Sequence, residues 1–199
     1  FDVGANTGNY SALLRSTFPS ARIFSFEPNP TSFSCLEEKA KKLKIYAYNF
    51  GLSSTSGDTD IFLYSENNST ERASLYKGML GKLFGFEKPQ TQKIRLMRLD
   101  DFCRKQNIDH IDFLKIDTEG HEYEVLSGAF ELLHRGKIGV IQFEFNITNV
   151  ISRVFLNDFY AMMPNYNFYR IRAHDFLPLG PYNSVNEIFV IHNLLAVSK

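Results

Sequence analysis

The densest chemistry in the sequence is the string KIDTEGHE, residues 115–122, which closes the apolar run IDFL. Asp117, Glu119, His121 and Glu122 crowd at what reads as a strand tip. Acids and an imidazole gathered there suit removal of a proton from a hydroxyl. An aliphatic hydroxyl is a poor nucleophile near neutral pH and needs a base as its new bond forms. His121 titrates nearest to neutrality and is the leading base on type alone. Asp117, at the tip itself, is the most secure site residue, toward either a cofactor or an acceptor. Glu119 and Glu122 have an alternative use, facing the positive end of the helix that follows. Lys115 points away from the side of Ile116 by strand alternation, and the sequence assigns it no role.

A second acid sits in FEFN, residues 143–146. Alternation puts Glu144 and Asn146 on one face of that strand, where Glu144 would reach an acceptor hydroxyl. Asp117, Glu144 and Asn146 also make an all-oxygen set of the kind magnesium accepts. Direct substrate binding is the commoner use of carboxylates at strand tips, so a metal is not favoured. His110, His134, His174 and His192 have no partner at ligand spacing. Tyr166, Phe168 and Tyr169 read as core or edge packing rather than a stacking platform for a sugar.

The chain opens FDVGANTGNYS. An apolar strand end, a glycine turn and a helix start make a place for a ligand, because a helix N-terminus offers unpaired N–H groups. Gly4 permits the turn and Gly8 lets the helix pack close. Asp2 would repel a diphosphate and suits a ligand that carries an ammonium group. Glu27, in FEPNP, ends the next strand at the spacing where an acid takes both hydroxyls of a ribose. A ribose and a cationic amino acid end, without a diphosphate, describe S-adenosylmethionine. A nicotinamide dinucleotide fits less well, since Asn6 stands where its G-x-G-x-x-G fingerprint has the second glycine.

FDVGANTGNYS, FEPNP, LDDF and IDFLKIDTEGHEYEVLSGA, taken together and in this order, resemble the FkbM-type methyltransferase family over residues 1–146. The resemblance implies a Rossmann-like class I methyltransferase fold: an α/β, seven-stranded, mostly parallel sheet whose last strand is antiparallel. It implies methylation of hydroxyl groups on sugars or natural-product scaffolds. By that similarity Asp2, Gly4, Asn6 and Gly8 hold the methionine end of the cofactor and Glu27 the ribose. Gly51 and Leu52 border the adenine, and Asp117 lies near the methionine end and the acceptor. Three other readings stay open: a nitrogen or peptide acceptor, a non-catalytic cofactor-binding or assembly module of a longer protein, and a nicotinamide oxidoreductase.

These residues need a scaffold of alternating strands and helices. Strands are expected at residues 21–26, 44–49, 60–64, 93–99, 111–116, 138–145, 167–172 and 187–193. Helices are expected at 31–43, 99–106, 123–134 and 156–163. Such alternation implies a mostly parallel sheet with helices on both faces. The last two strands lack a helix between them and should pair antiparallel at one edge. Residues 65–92 read as an insertion with Leu75, Met79, Leu80 and Leu83 at helical spacing, either a surface excursion or a lid over an acceptor pocket. The 199 residues suit one domain. Zero formal net charge argues against nucleic acid or an anionic membrane as main partner, and the small-molecule or carbohydrate acceptor is what the resemblance implies. Two cysteines, Cys35 and Cys103, read as buried thiols in a reducing compartment. With no membrane-length apolar run and no leader pattern, a cytoplasmic location is expected. Asn67, Asn68 and Asn146 lie in short sequons that arise often by chance. Phe1 falls inside a strand, so residues upstream of it are expected. The sequence sets no oligomeric state.

Overall fold

The computed structural model describes residues 1–66, 70–79, 81 and 90–199. Its strands in chain order are β1 (Asp2–Val3), β2 (Phe24–Phe26), β3 (Tyr46–Tyr48), β4 (Gly51–Leu52), β5 (Gly57–Glu66), β6 (Thr70–Ser74), β7 (Gln90–Met97), β8 (Ile111–Ile116), β9 (Ile138–Phe145), β10 (Tyr166–Ile171), β11 (Phe176–Pro178) and β12 (His192–Ser198). The helices named below are α1 (Asn9–Thr17), α2 (Pro30–Leu43), α3 (Leu99–Lys105), α4 (Glu122–Ser127), α5 (Phe130–His134), α6 (Ile147–Ser152) and α7 (Leu156–Met162).

The main sheet has eight strands in the order β11-β10-β12-β9-β8-β1-β2-β3. β3, β2, β1, β8 and β9 run parallel, and β12 enters antiparallel between β9 and β10. The expected class is present, with one more strand than expected because β11 pairs antiparallel with β10. Two expectations need correction. The last strand lies inside the sheet rather than at its edge, and it starts at His192 rather than covering residues 187–193. The apolar run at 188–191 invited that reading, but Val190 and Ile191 are exposed. Leu194 and Ala196, at strand spacing, are the fully buried pair.

The expected strands at 60–64 and 93–99 do not join this sheet. β5 and β7 pair antiparallel in a second, four-stranded sheet of order β4-β7-β5-β6. Leu80, Leu83, Asn67 and Asn68 lie outside the described residues, and so does part of the expected 65–92 insertion. Met79 is fully buried. The expected helix over 123–134 is two helices, α4 and α5, separated at Gly128. A Cβ at Gly128 would come within 2.1 Å of the Ser53 carbonyl oxygen, so the chain passes there as glycine. Asp100, at the start of α3, caps the neighbouring helix instead of its own. Its carboxylate accepts the N–H groups of Glu131 and Leu132 at 3.0 and 3.2 Å.

The two faces of the main sheet differ in chemistry. Leu114, Ile116, Ile141, Phe143, Phe145 and Leu194 are fully buried on one face with Phe159 of α7 and Leu99 of α3. Phe102 of α3 stands edge-on to Phe26, with ring centroids 4.9 Å apart. The opposite face carries a row of polar residues in register, Ser25, Asp2, Lys115 and Gln142 on β2, β1, β8 and β9. α1 covers this row. Ser11 donates to Asp2 at 2.5 Å and shares a hydrogen bond with Ser25 at 2.8 Å, and the Tyr10 hydroxyl donates to Gln142 at 2.9 Å. Cys103 is buried and its thiol is pushed up to about 12, chiefly by burial. Cys35 is exposed, contrary to expectation. Among the described residues no helix is long and apolar enough to cross a membrane.

The turn after β1 fixes how the first two loops meet. Gly4 has φ +76°, and a Cβ there would sit 1.8 Å from the Asp117 carbonyl oxygen. Gly4→Ala combines a left-handed backbone with a backbone clash and should destabilise the chain by more than ~2 kcal/mol in a denaturant titration. A loss below about 0.5 kcal/mol would show that the two strand tips are not held at this distance.

Candidate functional site

A cleft of ≈ 210 Å³ opens at the carboxyl ends of β1, β2 and β8, where ligands bind in sheets of this kind. Its floor is the turn after β1, with Gly4 and Asn6 on the lining. Asn6 holds φ 48°, a left-handed backbone that asparagine tolerates better than most residues. That conformation aims its N–H at the Oε2 of Glu27, 2.8 Å away. The Oε1 of Glu27 accepts the Asn29 N–H, also at 2.8 Å. Two backbone donors thus fix a buried carboxylate at the tip of β2. Burial raises the Glu27 pKa, and the two N–H bonds work against that rise. Each oxygen keeps a second lone pair for a ligand hydroxyl.

Gly51 and Leu52 line the same cleft. A Cβ on Gly51 would come within 2.8 Å of the tip of the Leu96 side chain, so a larger residue there would displace that leucine on the cleft wall. The opposite wall comes from the second sheet: Ile61, Ala73, Leu75 and Leu96 line it with apolar surface. This wall was invisible in the sequence. Part of the stretch read as a surface insertion or a lid, Ala73 to Leu75, therefore lines the cleft that also holds Glu27.

Asp117 and His121 also line the cleft. Asp117 is half-buried and accepts a hydrogen bond from Lys115 Nζ at 3.0 Å. His121 is buried, its Nε2 2.9 Å from the Ser53 hydroxyl. Burial pulls its pKa down to about 4, so the ring is neutral at physiological pH and a weak base. Glu122 is buried behind the loop. One of its oxygens gathers the Thr118 N–H, the Thr118 hydroxyl and the Gly120 N–H, which makes it the brace of the 118–120 turn.

Glu144 follows Phe143, which pairs with Ile116, so it stands beside Asp117 on the neighbouring strand tip. Burial, then the charges of Asp117, Glu119 and Glu122, push its pKa up to about 8, against the pull of Lys115. Asn146 donates to Glu144 at 2.6 Å through its amide nitrogen. Its amide oxygen accepts the Thr148 N–H and caps α6.

Two expected ligand contacts lie elsewhere. Asp2 is fully buried below the turn, bonded to Ser11 and 3.8 Å from Lys115 Nζ, and does not line the cleft. Gly8 is the left-handed N-cap of α1 and faces Leu36. Lys115 is the residue that sequence reasoning left without a role. Its signal was present: strand alternation puts it on the same side as Asp117, and a lysine inside an apolar strand needs a partner.

Residues 2–171 match the family described as the methyltransferase FkbM domain. The chain is 31% identical to methyltransferase sdnD of Sordaria araneosa over 65% of this chain and 60% of that protein. It is 28% identical to hexuronic acid methyltransferase AglP of Haloferax volcanii over 71% and 54% of the two chains. It is 26% identical to 2-O-methyltransferase NoeI of Sinorhizobium fredii over 66% and 57%. The chain thus spans between about half and three fifths of the length of these curated relatives. In structure it resembles an FkbM methyltransferase from Methylobacillus flagellatus with a TM-score of 0.58 at 16% identity, over 98% of this chain and 42% of that one. A precorrin-6y methyltransferase from Geobacter metallireducens gives 0.50 at 11% identity, over 100% and 78%. The ordered motifs, the strand-tip cleft and the match across nearly the whole sequence lead to one conclusion: the chain belongs to the FkbM methyltransferase domain family.

Proposed function

We propose that the chain binds S-adenosylmethionine in this cleft and transfers its methyl group to a hydroxyl of a small-molecule or carbohydrate acceptor. The observation that carries the reading is Glu27, a buried carboxylate clamped by two backbone N–H groups beside the glycine turn. It stands where a ribose diol would meet both oxygens at once. The names of two relatives, a hexuronic acid methyltransferase and a 2-O-methyltransferase, favour an oxygen acceptor on a sugar.

When bound, S-adenosylmethionine supplies an electrophilic methyl on a positive sulfonium. Glu27 takes the ribose hydroxyls, Gly51 and Leu52 border the adenine, and Asp117 faces the amino end. Ile61, Ala73, Leu75 and Leu96 keep water from that side of the cleft. Glu144, beside Asp117 and partly exposed but not on the cleft lining, is the proposed base; His121 lines the cleft but is a weak base, buried against Ser53. Glu144 would take the proton of the acceptor hydroxyl as that oxygen receives the methyl group, the departing thioether keeping the electron pair of the broken carbon–sulfur bond. Asn146, bonded to Glu144, orients the carboxylate.

Three measurements check this reading. Glu27→Ala, if folded by circular dichroism, should weaken S-adenosylmethionine binding in calorimetry by about 1.5–3 kcal/mol; unchanged affinity would contradict the ribose assignment. Glu144 acts as a base only when ionised, so turnover on a hydroxyl acceptor should rise with pH toward about 8. Glu144→Gln should remove that limb and slow turnover by ~100-fold or more. The sign for stability is opposite. The folded chain holds a proton on Glu144 that the unfolded chain releases above its usual 4.5, so stability falls as pH rises from there through about 8. The same substitution should therefore raise the melting temperature more at pH 8 than at pH 5. A variant that keeps the pH limb in turnover would overturn the role of Glu144.

A further inference from the structure

Lys115 is a buried cation with two acids and no place on the cleft wall. Its Nζ lies 3.0 Å from Asp117 Oδ2 and 3.8 Å from Asp2 Oδ1, and its side chain is only 8% exposed. The ammonium rests 4.7 Å from the centre of the Tyr10 ring, and Tyr10 is held by its bond to Gln142. The lysine is therefore walled in on the helix side and directed at the strand tip. Asp2 beneath it is fully buried and spends one oxygen on Ser11, while its other oxygen has no hydrogen-bond partner. Two carboxylates share one ammonium, so the trio carries one net negative charge. Of the three, Asp117 alone reaches the cleft, with 43% of its side chain exposed.

We infer that Lys115 is a positioning residue for the cofactor, pinning one oxygen of Asp117 from below so that the other faces the ligand's amino group. This rests on the cofactor reading above and adds a member to that site. A ligand ammonium at Asp117 completes the charge balance that Asp2 and Lys115 leave one short. Asp2 serves at one remove: it holds Lys115, and Lys115 holds Asp117. That arrangement explains why an acid in the first motif is buried out of the ligand's reach.

The test separates geometry from charge and from simple stability. Asp2→Asn with Lys115→Met removes one negative and one positive charge, so the trio keeps its net charge and no buried charge is stranded. Calorimetry would compare S-adenosylhomocysteine, which carries the amino acid end, with 5′-methylthioadenosine, which lacks it. In the double variant S-adenosylhomocysteine should bind about tenfold or more weakly while 5′-methylthioadenosine changes by less than about twofold. Asp117→Asn alone, at a half-exposed position, should give the same selective loss, and adding the double variant to it should cause little further change. Equal weakening of both ligands would reduce Lys115 to a structural role. An unchanged ratio of the two affinities in Asp117→Asn would overturn the proposal even if the double variant failed to fold. Wild-type protein that binds neither ligand would instead sink the cofactor reading itself.

Discussion

Everything at the site depends on how closely two strand tips approach. β1 and β8 are neighbours in the sheet, and the chain leaving β1 passes over the carbonyl of Asp117 with no room for a Cβ on Gly4. The contact brings the turn that carries Asn6 against the loop that carries Asp117. The same turn hands the Asn6 N–H to Glu27 on β2. One glycine conformation therefore couples three strand tips, and the cleft is the space that they enclose. A side chain at this position would move the floor of the cleft and both of its acids together.

The polar face of the sheet is the second constraint. A row of serine, aspartate, lysine and glutamine across four strands is an expensive thing to bury. α1 makes it tolerable by supplying a hydroxyl to Asp2, a hydroxyl to Gln142 and an aromatic face to Lys115. At the ligand end of this face the compensation is incomplete. Glu144 is forced toward its neutral form by burial and by three neighbouring acids. Mutual repulsion among these acids is relieved by the proton that Glu144 holds, and a cationic ligand of the proposed kind would relieve it further. A carboxyl perturbed in this way at a strand tip marks the corner as a candidate site.

What could be read from the sequence was local. The strand, glycine turn and helix at residues 1–12 follow from side-chain size and φ preference, and the structure repeats them. The place of Glu27 at the tip of the second strand, beside the turn, was legible too. Its double backbone clamp was not, because it depends on the left-handed conformation of Asn6. The second sheet was hidden for a topological reason. β5 and β7 pair across a long stretch of chain, and strand patterning says nothing about which partner a strand will take. The place of β12 between β9 and β10 is a long-range choice of the same kind. His121 shows the opposite failure, where residue type suggested a base and tertiary packing made it a buried neutral ring bonded to Ser53. Lys115 was legible by alternation alone, but its two partners come from different strands.

The most direct test is a crystal structure of the chain with S-adenosylhomocysteine. Both ribose hydroxyls should lie on the Glu27 carboxylate, the adenine beside Gly51 and Leu52, and the amino group on Asp117 with Lys115 behind it. A ligand seated elsewhere, or one whose amino group turns away from Asp117 while Glu27 contacts no hydroxyl, would contradict this placement.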